Sequence, residues 1–127
     1  GMGEMGIGNT TPSSALVSVL LNLPANEVTG RGAGLSDEAY NKKVAVIEQA
    51  VDRYWKATES SEIPEGPFFK IDAAVELMSH LGGYEIAAMA GMCLGGAVFG
   101  VPIVLDGYIS VAGALCASLI NSRNLGL

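Results

Sequence analysis

Only one stretch of the 127-residue sequence, Val-Pro-Ile-Val-Leu at residues 101–105, reads as a buried β-strand. This scarcity constrains the fold more than any other feature, because a parallel sheet needs several strands whose N–H and C=O groups satisfy one another. Pro102 stands near the start of the run, where a missing donor costs least. Glu27-Val28-Thr29 is short enough to be either a strand or an extended approach to the glycines that follow it. The rest of the chain has helical patterning. The expected class is therefore α/β, mainly helical with few parallel strands. Its lone strand would find partners in missing parts of the fold or in another chain.

The helices are marked by caps and periodicity. Thr11 is expected to cap the first and Pro12 to suit its first turn, with Ala15, Leu16, Val19, Leu20 and Leu23 on an apolar side and Pro24 as the stop. Ser36 followed by Asp37 and Glu38 suits the positive end of a second helix. Tyr40, Val44, Ile47, Val51 and Tyr54 fall on one face of it, and it should reach Ala57 as the longest element. Residues 58–69, with Pro64 and Pro67, form the one plausible internal boundary and read as a surface loop within a single domain, 1–127. Asp72 is expected to cap a further helix, with Gly82 as its left-handed stop. A helix over 85–97 contains Gly91, Gly95 and Gly96. Each interior glycine costs about 1 kcal/mol relative to alanine, so their repetition predicts close approach of another backbone. Ser110 opens the last helix, with Val111, Ala112, Leu115 and Leu119 toward the core.

Charge and composition exclude several functions. A net charge of -6 argues against nucleic acid as a partner, since such binding rests on a cationic surface. It leaves room for a small phosphorylated ligand held by backbone N–H groups and one cation. Cys93 and Cys116 lie in apolar helical surroundings and, with one histidine in the chain, predict structural thiols and no metal. That histidine, His80, sits in a last helical turn and is explained there without a catalytic role. The nearly uncharged residues 86–104 are broken by glycines and Pro102, so no membrane span is expected. No signal-like segment opens the sequence, which predicts a cytoplasmic protein.

Two glycine loops each precede a helix, where exposed N–H groups attract anions. The first carries Gly3, Gly6 and Gly8, the second Gly30, Gly32 and Gly34. Neither matches the dinucleotide fingerprint or the triphosphate P-loop, so each by itself reads equally as a tight turn. Glu4, among the first glycines, is compatible with a contact to ribose hydroxyls or an azole N–H, or with ordinary surface charge. Lys43 could reach back from the long helix to a phosphate at the second loop, with Lys42 as its competitor. Asp106 follows the strand, where open α/β sheets place ligand contacts, or else caps the turn at Gly107.

Four segments taken together are more specific: Gly3-Glu4-Met5-Gly6-Ile7-Gly8-Asn9-Thr10-Thr11-Pro12, Gly30-Arg31-Gly32-Ala33-Gly34-Leu35, Gly82-Gly83-Tyr84-Glu85-Ile86-Ala87-Ala88-Met89-Ala90-Gly91, and Val101-Pro102-Ile103-Val104-Leu105-Asp106-Gly107-Tyr108-Ile109-Ser110. In this order they resemble segments of the nicotinate-nucleotide:dimethylbenzimidazole phosphoribosyltransferases, over nearly the whole chain. The resemblance implies transfer of phosphoribose from nicotinate mononucleotide to a dimethylbenzimidazole-like azole, giving α-ribazole phosphate for cobalamin, with no metal or cofactor. It implies Glu4 beside the ribose and base, and Glu4 is the candidate catalytic group as a substitute for the family's own carboxylate. Substrate-binding roles fall to Glu4, Met5, Gly6, Gly8, Asn9, Gly30, Gly32, Lys43 and Asp106. The family's catalytic carboxylate belongs to a Gly-Glu-Gly-Thr-Gly-like segment that this sequence does not contain. The resemblance thus implies a partial Rossmann-like three-layer domain lacking the terminal parts of the family fold. It implies a partial transferase either inactive alone or active only with a complementary chain, assembling as a homo-oligomer or with that chain. The other classes are a nucleotide-binding module without turnover and a structural oligomeric remnant.

Overall fold

The computed structural model describes residues 1–32, 34–63 and 70–121. Its centre is helix α1 (Thr10–Leu21), in which every residue from Ser13 to Val19 is buried. A helix enclosed on all sides must satisfy its polar groups internally, and its three serines do so. Ser13 Oγ donates to Asn9 O at 2.9 Å, Ser14 Oγ to Val28 O at 3.0 Å and Ser18 Oγ to Leu23 O at 2.6 Å. The small hydroxyls let neighbouring elements approach closely without leaving orphan groups. Packed on or near α1 are α2 (Ala25–Val28), α3 (Asp37–Ala57), α4 (Lys70–Leu81) and α6 (Tyr108–Ile120), while α5 (Tyr84–Phe99) makes its most extensive contact with α6. Leu16, Ile47, Leu77, Ile86 and Cys116 are the fully buried apolar centres.

Helix α3 has the predicted extent and is the longest element. Ser36 Oγ accepts from the Ala39 N–H at 3.3 Å, and Asp37 and Glu38 fill the first turn. Ile47 and Tyr54 of its apolar stripe are buried; Tyr40, Val44 and Val51 are half-buried. Other boundaries need correction. Thr11 lies inside α1, whose cap position is Asn9. The helix stops at Asn22, in the left-handed conformation at φ 50°, and Pro24 instead precedes α2. Asn tolerates this conformation better than most residues. Residues 27–29 are accordingly not a strand, since α2 includes Glu27 and Val28. Asp72 lies in the first turn of α4 rather than at its cap. Gly82 closes α4 through its N–H to Met78 O at 2.9 Å without left-handed φ. The predicted loop is described only at residues 58–63; Pro64 and Pro67 lie outside the described residues.

The largest correction concerns residues 101–105. Among the described residues there is no named strand, only an isolated parallel bridge between Met2 and Leu105. It consists of Met2 N–H to Val104 O at 2.8 Å and Asp106 N–H to Met2 O at 3.0 Å. Far from being buried, Val101 and Val104 are 55% and 68% exposed, because Met2 is the sole bridging partner described for this stretch. The architecture seen is thus helical. No helix described is long and apolar enough to cross a membrane.

The helical glycines have divided roles. Gly96, in the last turn of α5, is where the chain packs after turning back at Gly100, and a Cβ there would lie 2.8 Å from Val101 O. Gly91 and Gly95 face open space. The tight approach between α5 and α6 depends on Gly113, which the sequence reading did not single out. Val111, expected inside, is 41% exposed; Ala112, Gly113, Cys116 and Ala117 face the core.

Cys116 is fully buried, and desolvation pushes its thiol from the ordinary 9.0 up to about 12. Since folding favours the neutral form, its contribution is intact below pH 9 and is lost as pH rises through about 12. Urea midpoints measured between pH 8 and 11 should therefore fall with pH more steeply in the wild-type chain than in Cys116→Ala.

Candidate functional site

The second glycine loop bends back onto α3. Arg31 Nη1 lies 2.7 Å from Asp37 Oδ1 and its guanidinium stacks 4.7 Å from the Tyr40 ring centroid, so the loop is tied to the helix start. Gly32 has φ +54°, a conformation that favours glycine. Ala33 lies outside the described residues. Nearly two turns into the helix, Lys43 Nζ donates to Thr10 Oγ1 at 3.0 Å and to Gly30 O at 3.3 Å. The ammonium thus joins the start of α1 to the second loop.

These groups enclose a cavity of about 510 Å³ lined by Thr10, Ser14, Val17, Glu27, Val28, Thr29, Gly30, Gly32, Lys43 and Tyr108. Gly30, Gly32 and Lys43, singled out in the sequence, therefore share one hollow. Lys42 does not line it and borders a neighbouring depression with Leu35 and Val46. At the opposite wall Tyr108 OH donates to Val28 O at 2.8 Å, and Ser14 Oγ lies 3.2 Å from the same hydroxyl. Burial raises the Tyr108 hydroxyl above its ordinary 10.0, outweighing the Ser14 contact that lowers it, so it is neutral at physiological pH. A cavity with one ammonium, several hydroxyls and the N–H groups of a glycine loop suits a phosphorylated polyol.

The first loop forms a separate cluster at the same helix start. Gly6, at φ +87°, turns its N–H to Glu4 Oε2 at 2.6 Å, and Asn9 Nδ2 donates to the same oxygen at 2.8 Å. The Asn9 amide, then the Gly6 N–H, hold the Glu4 carboxyl below its ordinary 4.5. Glu4 is exposed and ionised at neutral pH. Asn9 is 8% exposed, and its Nδ2 also reaches Glu85 Oε1 at 3.4 Å. Glu4, Gly6 and Asn9 are thereby brought together, one residue away from the cavity at Thr10. Met5 is 83% exposed and Gly8 has open space around it. Neither lines the cavity. Asp106 also lies outside the cavity: a Cβ on Gly3 would come within 2.8 Å of its Oδ2, so it abuts the first loop. The turn at Gly107 is tied instead by Ser110 Oγ, which accepts from the Asp106 and Gly107 N–H groups at 3.1 and 3.0 Å.

Sequence reasoning missed Thr10, Ser14, Tyr108 and Glu85 as participants. Thr10 and Ser14 are four residues apart on α1, a spacing that places two hydroxyls on one helix face and was available as a signal. Tyr108 meets Ser14 across 94 residues and Glu85 meets Asn9 across 76, which no local pattern announces.

Comparison with known proteins concerns nearly the whole chain. A family model described as phosphoribosyltransferase, DBI_PRT, matches residues 1–125. The nicotinate-nucleotide--dimethylbenzimidazole phosphoribosyltransferase of Chlorobaculum parvum is 44% identical over 121 residues, covering 95% of this chain and 31% of that protein. The like-named protein of Chlorobium chlorochromatii is 47% identical over 117 residues, covering 92% and 29%. The crystal structure of CobT from Thermus thermophilus superposes with a TM-score of 0.76 at 37% identity, covering 94% of this chain and 32% of that one. The chain thus spans about a third of the length of the relatives it matches.

Proposed function

The chain belongs to the phosphoribosyltransferase family whose model matches residues 1–125, and from that premise we propose that it supplies the nucleotide-binding part of a nicotinate-nucleotide:dimethylbenzimidazole phosphoribosyltransferase. The observation that carries the reading is the cavity at which Lys43, Gly30, Gly32 and Thr10 converge. Lys43 Nζ exchanges its contacts to Thr10 Oγ1 and Gly30 O for the mononucleotide phosphate, and the loop N–H groups complete the cradle. Ser14, Tyr108 and Glu27 line the remainder, where ribose hydroxyls need both donors and acceptors.

In the reaction, the azole nitrogen attacks the anomeric carbon as the bond to nicotinate breaks, and nicotinate leaves with that electron pair. With the family's Gly-Glu-Gly-Thr-Gly-like carboxylate absent from this sequence, the azole N–H proton goes to Glu4 as its substitute. Both hydrogen bonds from Gly6 and Asn9 land on Oε2, so Oε1 is assigned as the acceptor. Orientation of the two substrates adds to this proton transfer. The parallel bridge of Met2 with Leu105 supports reading residues 101–105 as one strand of an α/β sheet completed by further strands, from a second copy or a complementary chain. A cytoplasmic setting fits a mononucleotide substrate.

Calorimetric titration with nicotinate mononucleotide, combined with an assay for α-ribazole phosphate in the presence of dimethylbenzimidazole, tests the proposal. Any product formed by the wild-type chain should be lost in Glu4→Gln while nucleotide binding persists. Binding without product would reassign the chain as a nucleotide-binding module. No binding at millimolar ligand would sink the nucleotide reading and leave the glycines with packing alone.

A further inference from the structure

Asn9 is an unusual buried amide. Its Nδ2 is shared between two carboxylates, Glu4 Oε2 at 2.8 Å and Glu85 Oε1 at 3.4 Å, while its Oδ1 is buried without a hydrogen-bond partner among the described residues. The two acids fix the amide orientation, because the flipped rotamer would set Oδ1 against both negative groups. An orphaned buried acceptor is costly and calls for a compensating role. Glu85 is itself anchored: it occupies the first turn of α5, where a carboxylate is favoured by the helix dipole, and its oxygens fold back over Gly83, where a Cβ would meet both at 2.6 Å. Gly83 therefore leaves the space in which Glu85 can reach across to α1.

From this geometry we propose that Asn9 and Glu85 are positioning residues for Glu4, with Glu85 acting through the Asn9 amide to hold the Glu4 carboxylate in place as proton acceptor. The role of Glu4 rests on the function proposed above; the chain Glu85, Asn9, Glu4 is a physical coupling that exists with or without turnover. Asn9 accordingly serves Glu4 through its Nδ2 donor. Gly6 N–H holds the same oxygen from the other side, so Oε2 is pinned by two donors and Oε1 is the oxygen presented. The depressed Glu4 carboxyl, with Asn9 as its largest cause, agrees with this order.

The test follows the Glu4 carboxyl carbon by NMR titration in the 127-residue chain labelled with carboxyl-13C glutamate. Glu85→Gln and Glu85→Ala remove the same charge, but only glutamine keeps an oxygen for Asn9 Nδ2. Glu4 is expected to titrate at higher pH in Glu85→Ala than in Glu85→Gln. In an Asn9→Ser background the two should coincide, since serine keeps a capping residue at the head of α1 but lacks the amide donor. Circular dichroism of each variant verifies folding. Coincident titrations with Asn9 present, a reversed order, or a difference that survives Asn9→Ser would overturn the proposal. Calorimetry with nicotinate mononucleotide on the same samples separates this outcome from failure of the functional reading, because the titration does not require the nucleotide to bind.

Discussion

Lys43→Met should weaken binding of nicotinate mononucleotide by about 10- to 100-fold, the equivalent of the roughly 1.5–3 kcal/mol typical of a hydrogen bond to a charged group. Methionine keeps the length and most of the apolar contact of the lysine stem, so the loss isolates the ammonium. In a chain of net charge -6, and in a cavity that also holds Glu27, this cation offsets a repulsive background for an anionic ligand. The effect should shrink with added salt to the extent that the cavity is open to solvent. Binding by the wild type should strengthen as pH rises through about 6, where a phosphate monoester gains its second charge, and that increment should vanish in Lys43→Met. Lys42→Met is the matched control. Lys42 lies outside the cavity and should alter affinity by less than about threefold, the range of a screened surface charge. Equal losses in the two variants, measured by calorimetry, would mean that general charge and not the cavity governs binding.

The difference between Lys42 and Lys43 shows what a sequence can convey. Helical periodicity put Lys43 within a turn or two of the second glycine loop, and the loop bends back far enough for Gly30 O to accept from Nζ. The span of α3 was legible for a similar reason, since a capping serine, two acids and a regular apolar stripe all act within the helix itself. The exposure of residues 101–105 was not, because an apolar run of five residues states a need for burial without saying where its partner comes from. Residues 101–105 have the composition of a sheet interior, yet here their described bridge is to Met2 alone. The end of α1 was misread for a local reason. Asn22 takes the left-handed turn two residues before Pro24, the residue that sequence reasoning favours as the stop. The contacts at Tyr108 and Glu85 bring the starts of α6 and α5 to Ser14 of α1 and to Asn9 at its cap from distant sequence, so these polar groups had no visible partners in a linear reading.

The same long-range packing makes opposite results expected from two superficially alike glycines. Gly113→Val should destabilise the fold by roughly 3 kcal/mol, at the upper end of the usual overpacking range. A Cβ at Gly113 would lie 2.9 Å from Met89 Cβ, 3.2 Å from Ile86 O and 3.4 Å from Ala90 N. Two of those atoms are backbone and the third is fixed to it, so no rotamer change relieves the contact and α6 must move away from α5. That shift would also disturb the cavity, because α6 begins at Tyr108, whose hydroxyl is bonded to Val28 O. Mononucleotide affinity should therefore fall even where the variant remains folded. Gly91→Ala, in contrast, places its methyl in open space on the exposed side of α5 and should stabilise by up to about 1 kcal/mol through helix propensity alone. Urea unfolding of both variants supplies the comparison: a Gly113→Val midpoint equal to wild type would show that α5 and α6 are not held at the separation on which the Tyr108 wall of the site depends.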